Sequence, residues 1–266
     1  MSASAATERT PVASSIGETP VLTLAIDVGG SSVKANLVAA DGTLLTQTQQ
    51  QQTPYPCPPS TLVEVIAQLA DELPAADRAC VGFPGLVRSG TVIEVPSLSR
   101  GSYAGRSDPA LAAAWAGFPL RDAVADRLGI PVRAVNDADM AGCAVVQGRG
   151  MEFVVTLGTG IGTALFQDGR LLPHLELSHL SFPGRRASID VLVGNSALRR
   201  IGPRRWRGRV HRMMAAFHDA LWFDHAYVGG GNARLLEGTS MPPTWTLISN
   251  SQGLIGAVRI WDLDTQ

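Results

Sequence analysis

The hydrophobic positions of the chain fall into short apolar runs that end in small or polar residues. Residues 21–26 (VLTLAI) lead into residues 27–32 (DVGGSS), a second run covers residues 33–40, and Asp41-Gly42 then precedes residues 43–45. Runs of this length between turn residues are typical of strands, and an Asp-Gly pair between two runs is a hairpin signal. The pattern predicts a strand, a glycine loop, a strand, a tight turn and a further strand.

The same order of patterns recurs in the middle of the chain. Residues 153–157 (FVVTL) lead into residues 158–162 (GTGIG), residues 163–166 follow, and a second Asp-Gly pair at 168–169 precedes two leucines. An internal repeat of this kind indicates two similar structural units.

Strand and helix patterns alternate through the rest of the chain. A helix that opens with a capping box of Thr61 and Glu64 is predicted first. In chain order there follow a strand at 78–83, a helix at 120–128, a strand at 131–135, strands at 226–228 and 245–248, and a helix at 253–261. This alternation predicts an α/β protein. We expect a disordered tail at residues 1–20, a first domain at 21–134 plus 251–266, and a second domain at 135–250.

Composition narrows the classes of function. With 45% hydrophobic residues and a net charge of −1, the chain is neither disordered nor a general nucleic-acid binder. No apolar stretch approaches the roughly 18 residues of a membrane helix, so no membrane partner is expected. The cysteines, at positions 57, 80 and 143, form no CxxC pair, which predicts neither disulfides nor zinc and fits a reducing cytoplasm.

The glycine loops are candidate phosphate sites. Without a Cβ, backbone amides can approach phosphate oxygens, and two such loops in repeated domains can clamp a phosphate chain across a cleft. Any one loop is also typical of a plain hairpin turn, but a third loop at residues 229–232 (GGGN) strengthens the phosphate interpretation. Asp27, at the end of its strand, is suited to hold Mg²⁺ directly or through water.

Two further motifs carry polar chemistry. Asn136 and Asp137 follow a strand and begin a helix, where Asp137 can accept a proton from a substrate hydroxyl; a plain helix cap is the alternative. Glu176 and His179 stand three residues apart on one side of a helical turn and can bind neighbouring sugar hydroxyls. A two-residue metal site, or an exposed acid with an incidental histidine, are the alternatives. The other histidines, His174 included, are expected at the surface or in packing.

Six motifs occur in an order that is typical of one family. They lie at residues 27–34, 81–85, 136–139, 157–162, 176–179 and 228–232. In this order they resemble the ROK family of sugar kinases, most closely its polyphosphate glucokinase branch, over nearly all of residues 21–261. The resemblance implies the two-domain actin-like fold (ribonuclease H-like, the ATPase fold of hexokinases), with sugar and phosphate donor in the interdomain cleft.

The resemblance also implies roles for individual residues. Asp137 would take the proton of the sugar 6-hydroxyl, and Asn136, Glu176, His179 and Asp190 would bind the sugar. The residues that bind phosphate or nucleotide would be Gly29, Gly30, Ser31, Ser32, Lys34, Gly158, Thr159, Gly160, Gly162, Gly229, Gly230, Gly231 and Asn232. Mg²⁺ at Asp27 would be the cofactor, a hexose and either ATP or inorganic polyphosphate the partners, and a homodimer the assembly, as in many relatives.

Some features depart from the family pattern. The cysteine-rich zinc motif of most relatives is missing from residues 180–190, so no zinc is expected. Ser178 replaces the glycine of Glu-x-Gly-His, and residues 96–98 (PSL) replace a common asparagine loop. The arginines of residues 199–212 are interpreted either as a solvated helix face or as a track for polyphosphate.

These observations leave three hypotheses of function. The leading one is a kinase that transfers a phosphoryl group from polyphosphate or ATP to the 6-hydroxyl of glucose or a related hexose. The alternative is a non-catalytic sugar-binding sensor or regulator without a DNA-binding domain. A third, an actin-like ATPase without a sugar substrate, does not account for Asn136-Asp137 and Glu176-x-x-His179.

Overall fold

The computed structural model describes residues 21–103, 105–249 and 252–263; the predicted tail at 1–20 and parts of the predicted segment 251–266 lie outside the described residues. The strands are β1 (Thr23–Val28), β2 (Ser32–Val38), β3 (Gln49–Gln52), β4 (Arg78–Phe83), β5 (Leu86–Arg88), β6 (Thr91–Glu94), β7 (Val132–Asn136), β8 (Met151–Leu157), β9 (Ile161–Gln167), β10 (Arg170–Leu171), β11 (His225–Gly229) and β12 (Trp245–Leu247). The helices are α1 (Pro59–Asp71), α2 (Pro109–Trp115), α3 (Leu120–Leu128), α4 (Asp137–Cys143), α5 (Ile189–Val193), α6 (Asn195–Leu221) and α7 (Gln252–Asp262).

Two five-stranded sheets repeat one topology. The first has the order β3-β2-β1-β4-β7 and the second the order β10-β9-β8-β11-β12. In each sheet an antiparallel meander of three strands is extended by two parallel strands. This confirms the predicted repeat and the α/β class. The ends of the parallel strands, where ligands bind in such sheets, therefore occur twice in the molecule.

Helices cover both sheets, and one helix pair lies between them. On the first sheet α1 packs against β2 and β3, and on the second the buried face of α6 packs against β8. Between the sheets, α4 contacts β4 and β7 of the first sheet and β8 and β9 of the second, while α7 packs on α4, β1 and β4. Because β1 is covered on both faces, its successive residues Leu24, Ala25 and Ile26 are all apolar and buried. Among the described residues, no helix has both the length and the apolar character of a membrane span.

The crossing of α4 and α7 depends on one glycine. A Cβ added at Gly256 would overlap the carbonyl group of Met140 in α4. The two helix backbones therefore approach each other more closely than any side chain would allow. This contact fixes the distance between the helices that join the two halves.

The predicted third strand is wrong in position. Asp41-Gly42 forms the expected turn, with Gly42 at φ +87°, but only an isolated bridge between Leu44 and Val38 follows it. The strand itself begins at Gln49. The reason is the buried amide of Asn36 in β2, which needs polar partners. It obtains them from the intervening segment, donating to Thr46 O at 3.0 Å and to Thr48 Oγ1 at 2.9 Å, so this segment cannot join the sheet as a strand.

The predicted capping box is also wrong. Helix α1 begins at Pro59 with Pro58 in the cap position and without a side-chain cap, so Thr61 lies inside the first turn. Proline has no N–H that needs a cap, and its fixed φ is already helical. The consecutive prolines therefore set the start of the helix three residues earlier than a cap at Thr61 would.

Candidate active site

Asp27 and Asp137 lie at the carboxyl-terminal edge of the first sheet. Asp27 is the penultimate residue of β1, and Asp137 begins α4 directly after β7. Both strands run parallel to β4, which lies between them. The two side chains are half-buried and stand at the edge where open α/β sheets bind their ligands.

The two carboxyl groups influence each other's ionisation. Burial, together with the negative charge of Asp27, raises the pKa of Asp137 to about 7. Burial also raises the pKa of Asp27, an effect that Lys34 partly offsets from the opposite position in the β1–β2 ladder. A carboxyl group that titrates near neutrality can accept and release a proton at physiological pH, as a general base must.

Asn136 is engaged by the protein through both of its polar atoms. Its Oδ1 accepts the amide proton of Ala138 at 2.7 Å, and its Nδ2 donates to the carbonyl groups of Phe83 at 3.3 Å and Gly85 at 3.1 Å. The helix-cap interpretation therefore applies to Asn136. By fastening the end of β4 to the start of α4, it holds Asp137 in place. Its predicted contact with the sugar stays a prediction.

Glu176, His179 and Asp190 come close together in the second half of the molecule. Glu176 precedes a single 3-10 turn, Leu177–His179, which packs against α5, the helix that carries Asp190. Burial raises the pKa of Asp190, and the charges of His179, Glu176 and Arg100 are near enough to act on it. Arg100 belongs to the loop that follows β6 in the first half. Asp190 thus lies near that loop.

Ser178 fits the turn in which relatives carry glycine. Its side chain is buried, and in the described part of the chain positive φ outside glycine occurs at Ser89, Asp168 and Trp222. The turn at Ser178 therefore has backbone angles that any residue can adopt.

His174 joins this site although no motif pointed to it. Its Nδ1 lies 3.0 Å from Asp139 Oδ1 in α4, and its Nε2 lies 3.4 Å from Glu176 Oε1. The sequence predicts a surface or packing role for His174; the residue is buried, and the structure adds these two carboxylate contacts to its packing. The available signal was the spacing of two between His174 and Glu176, at which side chains of an extended segment share a face.

The first glycine loop, between β1 and β2, is held through its carbonyl groups. Thr53 Oγ1 donates to Gly29 O at 2.6 Å, the Tyr55 hydroxyl donates to Gly30 O at 2.6 Å, and the amide of Thr53 donates to Ser31 O at 3.1 Å. These bonds use the carbonyl groups of the loop and not the backbone N–H groups of Gly30 and Ser31. Backbone N–H groups are the ones that bind phosphate oxygens in such loops. Ser32 and Lys34 belong to β2, and Lys34 is the only lysine of the chain.

The second glycine loop, between β8 and β9, is fastened to the start of two helices. The amide of Asn195, at the start of α6, donates to Gly158 O at 3.1 Å and to Thr159 O at 3.2 Å. Asp190 Oδ1 accepts the amide proton of Ile161 at 2.9 Å. Asp190 therefore has two positions to account for: it lies near Glu176 and His179, and its carboxylate holds the second glycine loop through the N–H of Ile161. A residue predicted to bind the sugar thus also supports the loop predicted to bind phosphate.

The third glycine loop, Gly229 to Asn232, adjoins the second and borders a cavity. Asn232 Nδ2 donates to Gly158 O at 3.3 Å. Gly230 has φ +87°, and a Cβ there would overlap the backbone of Leu157, so only glycine fits. The cavity measures about 470 Å³ and is lined by the loop together with Arg234, Glu237 and Ile248, among others. This volume lies in the range of small-molecule sites.

The arginines of residues 199–212 lie on the solvent side of α6. Trp206 and Val210 of this helix are buried, whereas most of the arginines are exposed. Burial, and then the neighbouring guanidinium groups of Arg200, Arg185 and Arg212, lower the pKa of Arg209. We call these four residues the arginine cluster. Within the described part of the chain, none of its members forms an ion pair with a carboxylate.

The residues at the first sheet fit a magnesium ion of the kinase type. The described residues contain no group of three or more His, Cys, Asp or Glu side chains that could hold a metal ion by themselves. Mg²⁺ needs no such group, since it binds through one or two carboxylates, water and the phosphates of the substrate. Asp27, whose charged form is disfavoured by burial and partly restored by Lys34, is a carboxylate that could serve in this way.

Comparison with known proteins identifies the family. A family model described as the ROK family matches residues 23–173, more than half of the chain. The chain belongs to the ROK family. The polyphosphate glucokinase of Mycobacterium tuberculosis (strain ATCC 25618 / H37Rv) is 29% identical over 255 residues, which cover 90% of this chain and 91% of that protein.

Solved structures of ROK proteins share the fold. The crystal structure of an inorganic polyphosphate/ATP-glucomannokinase from Arthrobacter sp. strain KM is 27% identical, with a TM-score of 0.75 and coverage of 92% of this ROK chain and 98% of that one. A ROK family glucokinase from Streptomyces griseus, in complex with glucose and AMPPNP, is 20% identical, with a TM-score of 0.69 and coverage of 90% and 98%. The predicted actin-like, hexokinase-type fold is confirmed, as is the similarity to the polyphosphate glucokinase branch.

Proposed function

We propose that this protein is a sugar kinase that transfers a phosphoryl group from ATP or inorganic polyphosphate to the 6-hydroxyl of glucose or a related hexose. The observation that carries the proposal is the pair of half-buried carboxyl groups of Asp27 and Asp137, with the pKa of Asp137 raised to about 7. The similarity to a polyphosphate glucokinase and to a polyphosphate/ATP-glucomannokinase supports the choice of acceptor and donors.

Asp137 acts as the general base. Its carboxylate accepts the proton of the 6-hydroxyl while the hydroxyl oxygen bonds to the terminal phosphorus and the bond from that phosphorus to the donor's bridging oxygen breaks. Glu176, His179 and Asp190 bind the other hydroxyls and fix the direction of the attacking oxygen. Asp27 would hold Mg²⁺ directly or through water, and the ion would supply positive charge to offset the negative charge of the donor.

Separate features support the two donors. The cavity beside Gly229 to Asn232 has a volume suited to a nucleoside, and the first two glycine loops offer amides for the phosphates of ATP. The arginine cluster supports inorganic polyphosphate, because guanidinium groups that repel one another bind a linear polyanion favourably. We propose ATP in the cavity and polyphosphate along the cluster.

A coupled assay of sugar 6-phosphate formation tests the reaction. Glucose and mannose are each supplied with Mg²⁺ and either ATP or polyphosphate, and we expect turnover of glucose that stops when EDTA removes the metal. Glucose that binds in calorimetry but is not phosphorylated with any donor would favour the non-catalytic sugar-binding alternative. Metal analysis of the same preparation is expected to find no stoichiometric zinc.

Variants of the arginines separate the donors. The triple change Arg185→Gln, Arg200→Gln and Arg212→Gln is expected to raise the KM for long-chain polyphosphate about tenfold and leave the KM for ATP unchanged. The matched control is Arg204→Gln with Arg205→Gln, which removes two exposed arginines of the same helix outside the cluster. If both variants raise the KM for polyphosphate equally, or neither raises it, the arginine cluster is only a solvated helix face.

The assembly and the domain limits are proposed together with the function. We propose a cytoplasmic homodimer in which residues 21–134 plus 251–266 form one domain and residues 135–250 the other. Light scattering on the purified chain tests the dimer: a mass of twice the 28.0 kDa of the chain is expected.

A further inference from the structure

A buried histidine links two carboxylates behind the proposed sugar site. His174 Nδ1 lies 3.0 Å from Asp139 Oδ1, and His174 Nε2 lies 3.4 Å from Glu176 Oε1. The side chains of His174 and Asp139 are 3% and 5% exposed, whereas that of Glu176 is 24% exposed. The three groups therefore form a chain that leads from the interior of the molecule to a carboxylate that solvent and ligands can reach.

The two contacts favour one state of the imidazole, because Nδ1 is within hydrogen-bond distance of Asp139 while the buried Nε2, which has no hydrogen-bond partner among the described residues, lies 3.4 Å from Glu176. A neutral ring has one N–H and cannot donate toward two carboxylates, whereas the protonated ring donates from both nitrogens. Burial alone would lower the pKa of His174, but the bond to Asp139 and the contact with Glu176 raise it to about 10. Burial alone would raise the pKa of Glu176, and the same contact with His174 holds it below its usual value.

We propose that His174, anchored by Asp139, is a positioning residue that fixes the orientation and the charge of the Glu176 carboxylate for hexose binding. The proposal rests on the proposed function, because Glu176 is assigned there to the sugar hydroxyls. Oε1 of Glu176 faces His174, so the carboxylate cannot rotate freely, and its remaining acceptor positions serve the sugar. A ligand-binding group held in this way binds more tightly because its orientation is fixed in advance.

The position of His174 among charges explains why a cation is needed there. The carboxyl groups that act on it or on its partners come from three elements: Asp137 and Asp139 from α4, Glu176 from its own segment with His179 beside it, and Asp190 from α5. Without the imidazolium, Asp139 and Glu176 would face each other's negative charge in a partly buried setting, which disfavours the ionised form of Glu176. A neutral residue at position 174 should therefore weaken the acceptor for the sugar even where the fold persists.

Two substitutions test the contacts that run from Asp139 through His174 to Glu176: one changes His174 in the middle, and the other changes Asp139, the residue furthest from the sugar. His174→Gln keeps a donor but no charge, and Asp139→Asn removes the anchor, which lies one side chain further from the sugar. We expect each to raise the KM and the calorimetric Kd for glucose about tenfold, the effect of losing one charge-assisted contact. The kcat should change far less, and the KM for ATP should stay the same. The matched control is His218→Gln, an exposed histidine of α6 whose ring packs near those of Trp222 and Phe223.

A spectroscopic readout is independent of sugar turnover. In ¹⁵N NMR spectra of the whole protein, the His174 ring, assigned by its loss in His174→Gln, is expected to be protonated on both nitrogens at about pH 8, where a free imidazole is neutral. In Asp139→Asn this signature should shift to that of a neutral ring. A merely space-filling histidine would show neither property.

Each outcome decides a separate question. A KM for glucose equal to that of the wild type in folded His174→Gln or Asp139→Asn, or a neutral His174 ring in the wild type, overturns the positioning role. If a variant does not fold, as judged by near-ultraviolet circular dichroism, the wild-type NMR spectrum and the other variant still decide. If the wild type phosphorylates no hexose, the proposed function fails, while glucose calorimetry and NMR continue to test the His174 contacts.

Discussion

Two hairpins occupy equivalent places in the two sheets and carry different chemistry. In β1–β2, Asp27 stands opposite Lys34, whereas in β8–β9 the corresponding residue, Thr156, stands opposite Gly162. The second pair has no room for a larger side chain, because a Cβ at Gly162 would lie 2.5 Å from Thr156 Oγ1. The repeated topology therefore provides two loops for phosphate, but only the first hairpin carries charged side chains of its own next to its loop, whereas the charge beside the second loop, Asp190, comes from α5.

The difference extends to the rest of the site. The carboxylates of Asp27 and Asp137 belong to the first sheet and the helix that follows it, while Glu176, His179 and Asp190 follow the second meander. Helix α4 joins the two sets, since Asp137 acts on Asp27 and Asp139 bonds to His174. Residues two apart on a helix point about 200° away from each other. One short helix can therefore serve both halves of the cleft.

The largest expected effect comes from removing the base on the first side. Asp137→Asn keeps the size of the side chain but cannot accept the proton, so kcat should fall about 10²-fold or more with the Kd for glucose nearly unchanged. In the wild type, kcat/KM should rise with pH through about 7, because Asp137 must be ionised to act. Steady-state kinetics check both, with Asp122→Asn, an exposed residue of α3, as the control. Full activity of Asp137→Asn would contradict the role of Asp137 as the general base.

The comparison of the hairpins is tested directly by changing both. Asp27→Asn removes the charge of the first, and we expect about a tenfold higher Mg²⁺ concentration for half-maximal activity, because a carboxylate ligand is lost. Thr156→Val changes the equivalent residue of the second hairpin without changing its charge, and the Mg²⁺ dependence should stay the same. Equal Mg²⁺ curves for Asp27→Asn and the wild type would contradict the assignment of the metal to the first hairpin.

The close contact between α4 and α7, the helices that lie between the two sheets, is tested by adding one methyl group. Gly256→Ala places a Cβ against the backbone of Met140 in α4, so the free energy of unfolding should fall by about 1–3 kcal/mol. Gly253→Ala, in the same helix but with open space around its Cβ, should leave stability unchanged or raise it slightly. Denaturant unfolding of both variants gives the difference, and equal values would show that the helices are free to separate.

The smallest effect concerns the pH dependence of stability on the second side. The pKa of His174 rises from 6.5 to about 10 on folding, so the stabilisation by its carboxylate contacts is complete below pH 6.5 and is lost as the pH rises toward 10. Between about pH 7 and pH 10, the wild type should therefore lose more stability than His174→Gln. Thermal unfolding of the two proteins at a series of pH values measures this difference; parallel curves would show that the contacts do not hold a proton.

Local patterns determined much of the fold and the outline of the site. The helix at Leu120–Leu128 and the strand at Arg78–Phe83 have the predicted bounds, because the apolar spacing and the turn residues that define them lie within a few positions of each other. The glycine loops and the two copies of the repeated pattern are visible in the same way, whereas the pairing of Asp27 with Lys34 came from the structure. The site residues that these motifs carry, Asp137, Glu176 and His179 among them, could be named before any coordinates were known.

The tertiary structure alone decided which polar groups are already engaged and by what. The side-chain amide of Asn136 donates to the carbonyl groups of Phe83 and Gly85, more than fifty residues earlier in the chain. The carboxylate of Asp190 accepts the backbone N–H of Ile161. His174 meets Asp139 across 35 positions of sequence, and the amide of Asn36 moves the third strand by binding Thr46 and Thr48. In each case a buried polar group had to find a partner. Which partner is within reach depends on how the two sheets and α4 pack, and no periodicity along the chain records that distance.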